Sequence, residues 1–175
     1  MIRRLLVPET RFTLSGGAGS DAVPQNPVYS YTVVCLYDDK GNCGTGLAFT
    51  LGAGNELVCS AARFYGEKLV GKDIGEVMSG FGEWFRQRSD EQQFRWLGPH
   101  KGVVHLALAA VTNACYDLWA KQAQLPLWKL LLNLSPEQLV NTLDLSYLEE
   151  VLPRREAISM LTGMQATRAS RESIL

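Results

Sequence analysis

Two short segments rich in glycine, serine and polar residues have the composition of ligand-binding loops. The first is Ser15-Gly16-Gly17-Ala18-Gly19-Ser20, which continues into Asp21-Ala22-Val23-Pro24, and the second is Gly52-Ala53-Gly54-Asn55. A phosphate cradle uses such glycines at the N-terminus of a helix, usually together with a Lys-Ser/Thr pair. Because that pair is missing from both segments, their composition favours mobile surface loops over phosphate sites.

Histidine and cysteine, which serve many catalytic and zinc sites, occur here at isolated positions. His105 lies inside an apolar segment, where a hydrogen-bonded core histidine is the commoner role, and His100 stands at the entrance of that segment. Neither has a Ser or Cys partner at the spacing of a hydrolase triad. The cysteines at positions 35, 43, 59 and 115 form no CxxC pair. We therefore expect buried free thiols and no metal site.

The overall composition indicates one soluble domain of ordinary size. The chain has 175 residues, of which 46% are apolar and 20% charged, whereas a complete eight-stranded α/β barrel takes ~250 residues. The formal charge of -1 offers no excess of cations to a phosphate backbone, so we expect no nucleic-acid partner. No apolar run approaches the ~18 residues that span a bilayer, and the N-terminal apolar run is too short for a secretory signal. We expect a cytoplasmic protein without a membrane partner.

Alternating side chains in the first half predict a small antiparallel sheet. One β-prone run extends from Tyr29 to Tyr37, turn-forming residues follow at 38–42, and a second run extends from Cys43 to Leu51. The segment from Ile2 to about Leu14 is predicted as a third strand of the same meander.

Helical periodicity begins after these strands. Asn55 is a candidate cap for a first helix that would stop near Gly71, and Asp73 with Glu76 resembles the capping box of a second. A third helix, from about 101 to 122, is apolar around most of its circumference. We predict that it forms the core of the domain.

Regular patterns weaken towards the end of the chain. A short helix is predicted at 127–134, and Ser135-Pro136-Glu137-Gln138 predicts a new helical start. Residues 140–145 have the pattern of a buried strand, and 162–175 are expected to be frayed. Strands followed by helices predict an α+β fold, with the helices on one face of a small antiparallel sheet.

Two longer segments carry a specific resemblance. Residues 109–121, followed by 125–131, resemble the signature that closes the N-terminal capping domain in the mandelate racemase and muconate lactonizing branch of the enolase superfamily. Residues 94–107 resemble the L-fuconate dehydratases. So does Gly19-Ser20-Asp21-Ala22, with Tyr29 at the end of the same loop.

The resemblance covers about residues 10 to 160 and implies a three-stranded antiparallel meander followed by a small helical bundle. In such enzymes this domain lends two loops that cover the mouth of a barrel and select the substrate. Gly19, Ser20, Asp21 and Tyr29 match the loop that contacts the sugar acid, and the turn at 52–55 resembles the second loop. Glycine lets the backbone approach a ligand, and the Asp and Tyr side chains can hydrogen-bond to hydroxyl groups.

The family's catalytic groups have no counterpart in this sequence. Family members use a Lys-x-Lys pair, three carboxylates that hold magnesium, and a His-Asp pair, but here no lysine follows Lys129 and no histidine follows His105. We therefore divide the chain into a capping domain at 1–140 and, at 141–175, the start of a truncated barrel with a frayed tail. The barrel itself is expected to be absent.

These observations predict the N-terminal fragment of an L-fuconate dehydratase-like hydro-lyase. The fragment would supply specificity loops for a sugar-acid substrate, with no catalytic residues and no magnesium of its own. Relatives commonly self-associate, so a homo-oligomer is also implied. The alternatives are a stand-alone binding or interaction module that kept the capping fold, and a partner that lends its loops to another chain.

Overall fold

The fold is taken from a computed structural model that describes residues 1–14, 16, 18–19, 28–97 and 102–174. Within these ranges one antiparallel sheet contains β1 (Ile2–Leu6), β2 (Glu9–Thr13), β3 (Val28–Asp38) and β4 (Cys43–Thr50). Both β1 and β2 pair with β3, each along a different half of it, and β4 pairs along its other edge. The segment predicted as one strand is thus two, because Pro8 has no N–H to continue the ladder.

The helices follow the strands, which confirms the α+β prediction. They are α1 (Asn55–Glu67), α2 (Ile74–Ser79), α3 (Phe81–Ser89), a 3₁₀ turn (Gln92–Leu97), α4 (Gly102–Gln122), α5 (Leu127–Asn133), α6 (Pro136–Asn141), α7 (Arg154–Gly163), a second 3₁₀ turn (Gln165–Thr167) and α8 (Arg168–Glu172). Helices α1 and α4 cover the inner face of the sheet, where the alternate side chains of β3 from Ser30 to Leu36 are buried. The other face, which we call the outer face, carries Tyr29 and Tyr31.

Helix α4 lies directly on β4 and forms the centre of the core, as predicted. A Cβ atom on Gly46 would stand 2.0 Å from the carbonyl oxygen of Ala110, and one on Gly44 would stand 2.3 Å from that of Ala114. Only glycine permits such an approach between strand and helix backbones. By length and composition α4 could also cross a bilayer, but half of its apolar window is buried within the protein, and core helices of soluble proteins pass the same test.

The prediction of a buried strand at 140–145 is wrong. Ser135 and Gln138 form a reciprocal capping box that starts α6, and this helix runs through Val140 to Asn141. Leu143, which follows it, is 48% exposed. The local capping interactions favour helix, and β3 already has a partner along both edges.

The C-terminal segment contains more regular structure than its sequence predicts. Helix α7 overlaps the start of the segment expected to be frayed, and α8 lies within it. Ala157 is buried, and Lys129 of α5 forms an ion pair with Glu172 of α8. Polar side chains over most of this segment conceal its helical periodicity. The division of the chain near residue 140 stays a prediction.

Candidate functional site

Strands β2 and β4 end, and β3 begins, at the same end of the sheet. Thr13, the last residue of β2, pairs with Val28, the first residue of β3, while Thr50 at the end of β4 pairs with Ser30. The chain between β2 and β3 and the turn after β4 therefore begin side by side. Helix α4 runs antiparallel to β4, as its contacts with Gly44 and Gly46 show, so its first turns point to the same end.

Gly19 in the first segment packs against the side chain of Tyr29. Its backbone has a φ of 72°, in the left-handed region, and a Cβ there would lie 2.6 Å from the Tyr29 hydroxyl oxygen and 2.8 Å from Cδ1 of Leu14. Both conformation and space require glycine at this position. The structure thus brings Gly19 and Tyr29 together, whereas the predicted site residues Ser20 and Asp21 lie outside the described residues.

Tyr29 belongs to a row of aromatic side chains on the outer face, which we call the outer aromatic cluster. It consists of Phe12, Tyr29, Tyr31 and Phe49. The Tyr29 and Phe49 rings meet edge to face with centroids 5.0 Å apart. Such contacts hold a ring in a fixed orientation. The Tyr29 ring is therefore held by Phe49 while its hydroxyl group lies against the first segment.

The second segment is anchored to the start of β3. The backbone N–H of Gly52 donates to Oγ of Ser30 at 2.7 Å, and a Cβ on Gly52 would lie 3.3 Å from Cβ of Val28. Gly52 and Gly54 have φ values of 93° and 88°, and Gly54 is the N-cap of α1. The turn is held close to β3 by these contacts.

A buried hydrogen-bond network supports this anchor. Oδ1 of Asn55 accepts hydrogen bonds from the hydroxyls of Thr32 at 3.0 Å and Thr50 at 2.7 Å, and the Ser30 and Thr50 hydroxyls are 2.7 Å apart. Ser30, Thr32 and Asn55 are fully buried, and buried hydroxyl groups need such partners. The sequence suggests Asn55 as a helix cap. Instead Gly54 is the N-cap, and Asn55, the first residue of α1, joins β3 and β4 through the Thr32 and Thr50 hydroxyls.

Charged groups beside these loops form a surface ion-pair cluster. Arg11 forms ion pairs with Glu9 and, at 3.1 Å, with Glu56 in the first turn of α1. The pKa of the Glu56 carboxyl group is lowered by its surroundings. The carboxylate accepts hydrogen bonds from the backbone N–H groups of Glu56 and Gly54, and it is paired with the Arg11 guanidinium.

The described residues provide no metal centre. They contain no group of three His, Cys, Asp or Glu side chains that could hold a metal ion. Magnesium prefers an octahedral shell of oxygen ligands, including carboxylates, and Glu9 and Glu56 are already paired with Arg11. His105 lies partly buried in α4, and His100 falls outside the described residues. The described part of the site therefore does not fit magnesium.

Curated relatives match almost the whole chain. Mitochondrial enolase superfamily member 1 of Bos taurus is 45% identical over 174 residues, which are 98% of this chain and 39% of the relative. L-galactonate dehydratase of Hypocrea jecorina is 38% identical over 153 residues, 87% of this chain and 34% of the relative. The chain thus spans about two fifths or less of these relatives. No protein-family profile matches it.

Solved structures of other proteins share the fold of this chain. The crystal structure of human mitochondrial enolase superfamily member 1 matches with a TM-score of 0.89 at 42% identity, covering 98% of this chain and 40% of the human chain. L-talarate dehydratase from Polaromonas sp. JS666, solved with Mg and L-glucarate, matches with a TM-score of 0.56 at 21% identity, covering 85% and 43% of the two chains. In sequence and in fold, this chain is thus similar to enolase superfamily member 1, of which it spans about two fifths, and in sequence also to L-galactonate dehydratase.

Proposed function

We propose that this chain forms the substrate-covering part of a sugar-acid dehydratase. The observation that carries the proposal is the convergence of the two glycine-rich segments at one end of the sheet, where Gly19 lies against Tyr29 and Gly52 is anchored to Ser30. Two loops that start side by side can close over one ligand. The chain's part is then to bind and orient the substrate and to exclude water from it.

The sugar-acid class is supported by the relatives. L-galactonate dehydratase matches 87% of this chain, and the L-talarate dehydratase structure contains L-glucarate. A polyhydroxy acid needs hydrogen-bonding partners for its hydroxyl groups. In this proposal the hydroxyl of Tyr29 and the carboxylate of Asp21 bind them, while Gly19 and Ser20 bring the backbone close.

The more specific proposal is that the preferred acid is L-fuconate. It is based on the resemblance of residues 94–107 and 19–22 to the L-fuconate dehydratases. L-fuconate lacks one hydroxyl group that L-galactonate carries, so the two acids test whether the loops bind that group. A site built to hydrogen-bond a hydroxyl strongly rejects the analogue that lacks it.

Proton transfer is not assigned to this chain. The described residues do not fit a magnesium ion, and the sequence has no Lys-x-Lys pair. In family members magnesium supplies the positive field that stabilises charge on the acid during proton removal. We propose that the metal ion and the bases act from outside the described residues.

The alternative of a stand-alone interaction module has less support. Such a module would be expected to have a polar outer surface, but Phe12, Leu47 and Phe49 on the outer face are 53%, 51% and 43% exposed. Contiguous apolar surface of this kind indicates a face that is normally covered. The exposed face therefore favours part of a larger protein over an independent module.

Equilibrium titration of the purified chain tests the proposal. We expect saturable binding of L-fuconate and L-galactonate but not of succinate, a diacid without hydroxyl groups. Replacing Tyr29→Phe removes one hydrogen bond, worth about 1 kcal/mol, and should weaken binding about fivefold. Tyr37→Phe, near the far end of the same strand, is the matched control and should bind as the unmodified chain does.

Two results would contradict the proposal. One is equal binding of succinate and the sugar acids, which would show that hydroxyl groups are not recognised. The other is formation of a 2-keto-3-deoxy acid by the purified chain with added Mg²⁺, which would place the proton-transfer groups within it.

A further inference from the structure

Two cysteines lie next to each other on the outer face of the sheet. In the pairing of β3 with β4, Cys35 is opposite Thr45 and Cys43 is opposite Tyr37, so the cysteines are diagonal neighbours. Sγ of Cys43 lies 3.8 Å from Oγ1 of Thr45, the residue opposite Cys35. The register therefore places the two thiols on one small patch of the outer face.

The pair differs from the other cysteines in exposure. All four thiols are free, but Cys59 and Cys115 are buried in the core, whereas Cys35 and Cys43 are half-buried. The expectation of buried thiols is thus wrong for the outer pair, because alternation along β3 places Cys35 on the face away from the helices. A soluble reagent can reach this pair without unfolding the protein.

The position of Cys43 gives the pair some freedom to move. Cys43 is the first residue of β4 and follows the turn in which Gly41 has a φ of 87°. Diagonal neighbours have Cα atoms about 7–8 Å apart, somewhat beyond the usual range of about 4.4–6.8 Å for disulfides. Closing a bond therefore requires a small shift, which the strand end beside the turn can supply. A bond formed in this way would be easily reduced.

We propose that Cys35 and Cys43 form a redox site that a small disulfide, such as oxidised glutathione, converts reversibly into an intramolecular disulfide. One cysteine thiolate attacks a sulfur of oxidised glutathione, a mixed disulfide forms, and one glutathione leaves and takes up a proton. The second cysteine thiolate then attacks the protein sulfur of that mixed disulfide, and the second glutathione leaves in the same way. Two protein thiols are oxidised and one glutathione disulfide is reduced to two thiols.

The surroundings of the pair determine how readily its thiolates form. Nζ of Lys121 donates a hydrogen bond to the carbonyl oxygen of Cys43 at 2.7 Å and is paired with Asp117. Burial and the neighbouring Cys43 raise the pKa of the Cys35 thiol, and the Lys121 charge opposes them only in part. Because the thiolate is the attacking species, the exchange should become faster as the pH rises. The pair is separated along β3 and β4 from Tyr29 and Thr50, so the inference is independent of the proposed function.

Disulfide mapping of the full chain tests the inference. The native protein is equilibrated with mixtures of reduced and oxidised glutathione, quenched with acid, alkylated with N-ethylmaleimide and digested for mass spectrometry. We expect a peptide linked through Cys35 and Cys43, and an intact mass lower by two hydrogen atoms before alkylation. Cys59 and Cys115 are internal controls and should react only after unfolding. Reduced glutathione in excess should restore both thiols.

Single-cysteine variants distinguish the intramolecular bond from simple modification. In Cys35→Ser and Cys43→Ser the remaining cysteine should stop at the mixed disulfide with glutathione, because no second thiol is available. The inference is overturned if the native chain, with unchanged circular dichroism, gives only mixed disulfides or only links between chains at every glutathione ratio. This measurement on the unmodified chain does not depend on whether the variants fold.

Discussion

The hydroxyl oxygen of Tyr29 occupies the space that a side chain at residue 19 would need, since a Cβ there would lie 2.6 Å away. Gly19→Ala should therefore destabilise the protein by about 2 kcal/mol, from the positive φ together with the overlap. Gly16→Ala is the matched control: Gly16 has a φ of 63° and nothing within 4 Å of an added Cβ. Gly16→Ala should lower the free energy of unfolding by only about 1 kcal/mol. Urea unfolding measures both variants.

The same contact predicts coupling between the two residues. In a Tyr29→Phe background the overlapping oxygen is gone, so Gly19→Ala should cost about 1 kcal/mol less than in the unmodified protein. Additive effects of the two substitutions would contradict the contact.

The approach of β4 to α4 predicts a larger effect at Gly46. A Cβ there would meet the backbone of Ala110, which cannot move aside as a side chain end can. Gly46→Ala should therefore destabilise by about 3 kcal/mol. Gly163→Ala, at the end of α7 with nothing within 4 Å, should be neutral or stabilise by up to about 1 kcal/mol. Similar thermal unfolding midpoints for the two variants would rule out the described packing.

The buried network around Asn55 predicts that a substitution at Asn55 destabilises the protein more than one at an exposed position of α1. Asn55→Ala removes the oxygen that accepts hydrogen bonds from the Thr32 and Thr50 hydroxyls. It should lower the free energy of unfolding by about 2 kcal/mol or more. Ser60→Ala, on an exposed position of α1, should stay within about 0.5 kcal/mol of the unmodified protein. Chemical denaturation measures both, and equal effects would contradict the role of the network.

The hydrogen bonds to the Asp38 carboxylate predict that the protein loses stability in acid. Burial alone would raise the pKa of its carboxyl group, but hydrogen bonds from the Asn42 and Gln122 side chains and from the N–H groups of Asn42 and Lys40 outweigh it. The pKa falls from 3.8 to about 2. Because the folded state has the lower pKa, this contribution is present above pH 3.8 and is lost as the pH falls towards 2.

The test for Asp38 compares the unmodified protein with Asp38→Asn across this pH range. The stability difference between them should shrink as the pH falls, because the protonated acid resembles the amide. A difference that stays constant from neutral pH to the acid limit would show that Asp38 is not held as a carboxylate in the fold.

Side-chain patterns predict most of the order of elements here, but not which face of a strand is buried. The alternation from Tyr29 to Tyr37 predicts β3, yet its aromatic side chains lie on the outer face, and Ser30 and Thr32 point into the protein. Each of these buried hydroxyl groups needs a hydrogen-bond partner that is distant in the sequence: Asn55 for Thr32, and the Gly52 N–H with the Thr50 hydroxyl for Ser30. Such a partner is set by tertiary structure and not by local periodicity.

The sequence indicates only part of the candidate site. The resemblance assigns Gly19 and Tyr29 to one loop, and the structure places them in contact; their role in substrate binding stays a prediction. The network that anchors the second segment was missed, although Ser30, Thr32 and Thr50 carry a signal: hydroxyl side chains at strand positions that share the inner face, followed by an asparagine after a turn. Recognising that signal requires the strand register, which the sequence leaves open.

Nuclear magnetic resonance of the isotope-labelled chain tests most directly whether the two segments form one sugar-acid site. On titration with L-fuconate or L-galactonate, the amide signals of Gly19, Tyr29, Gly52 and Gly54 should shift together and follow one saturation curve, while those of α7 and α8 should stay unchanged. Shifts in only one segment, or shifts centred elsewhere in the protein, would contradict the account.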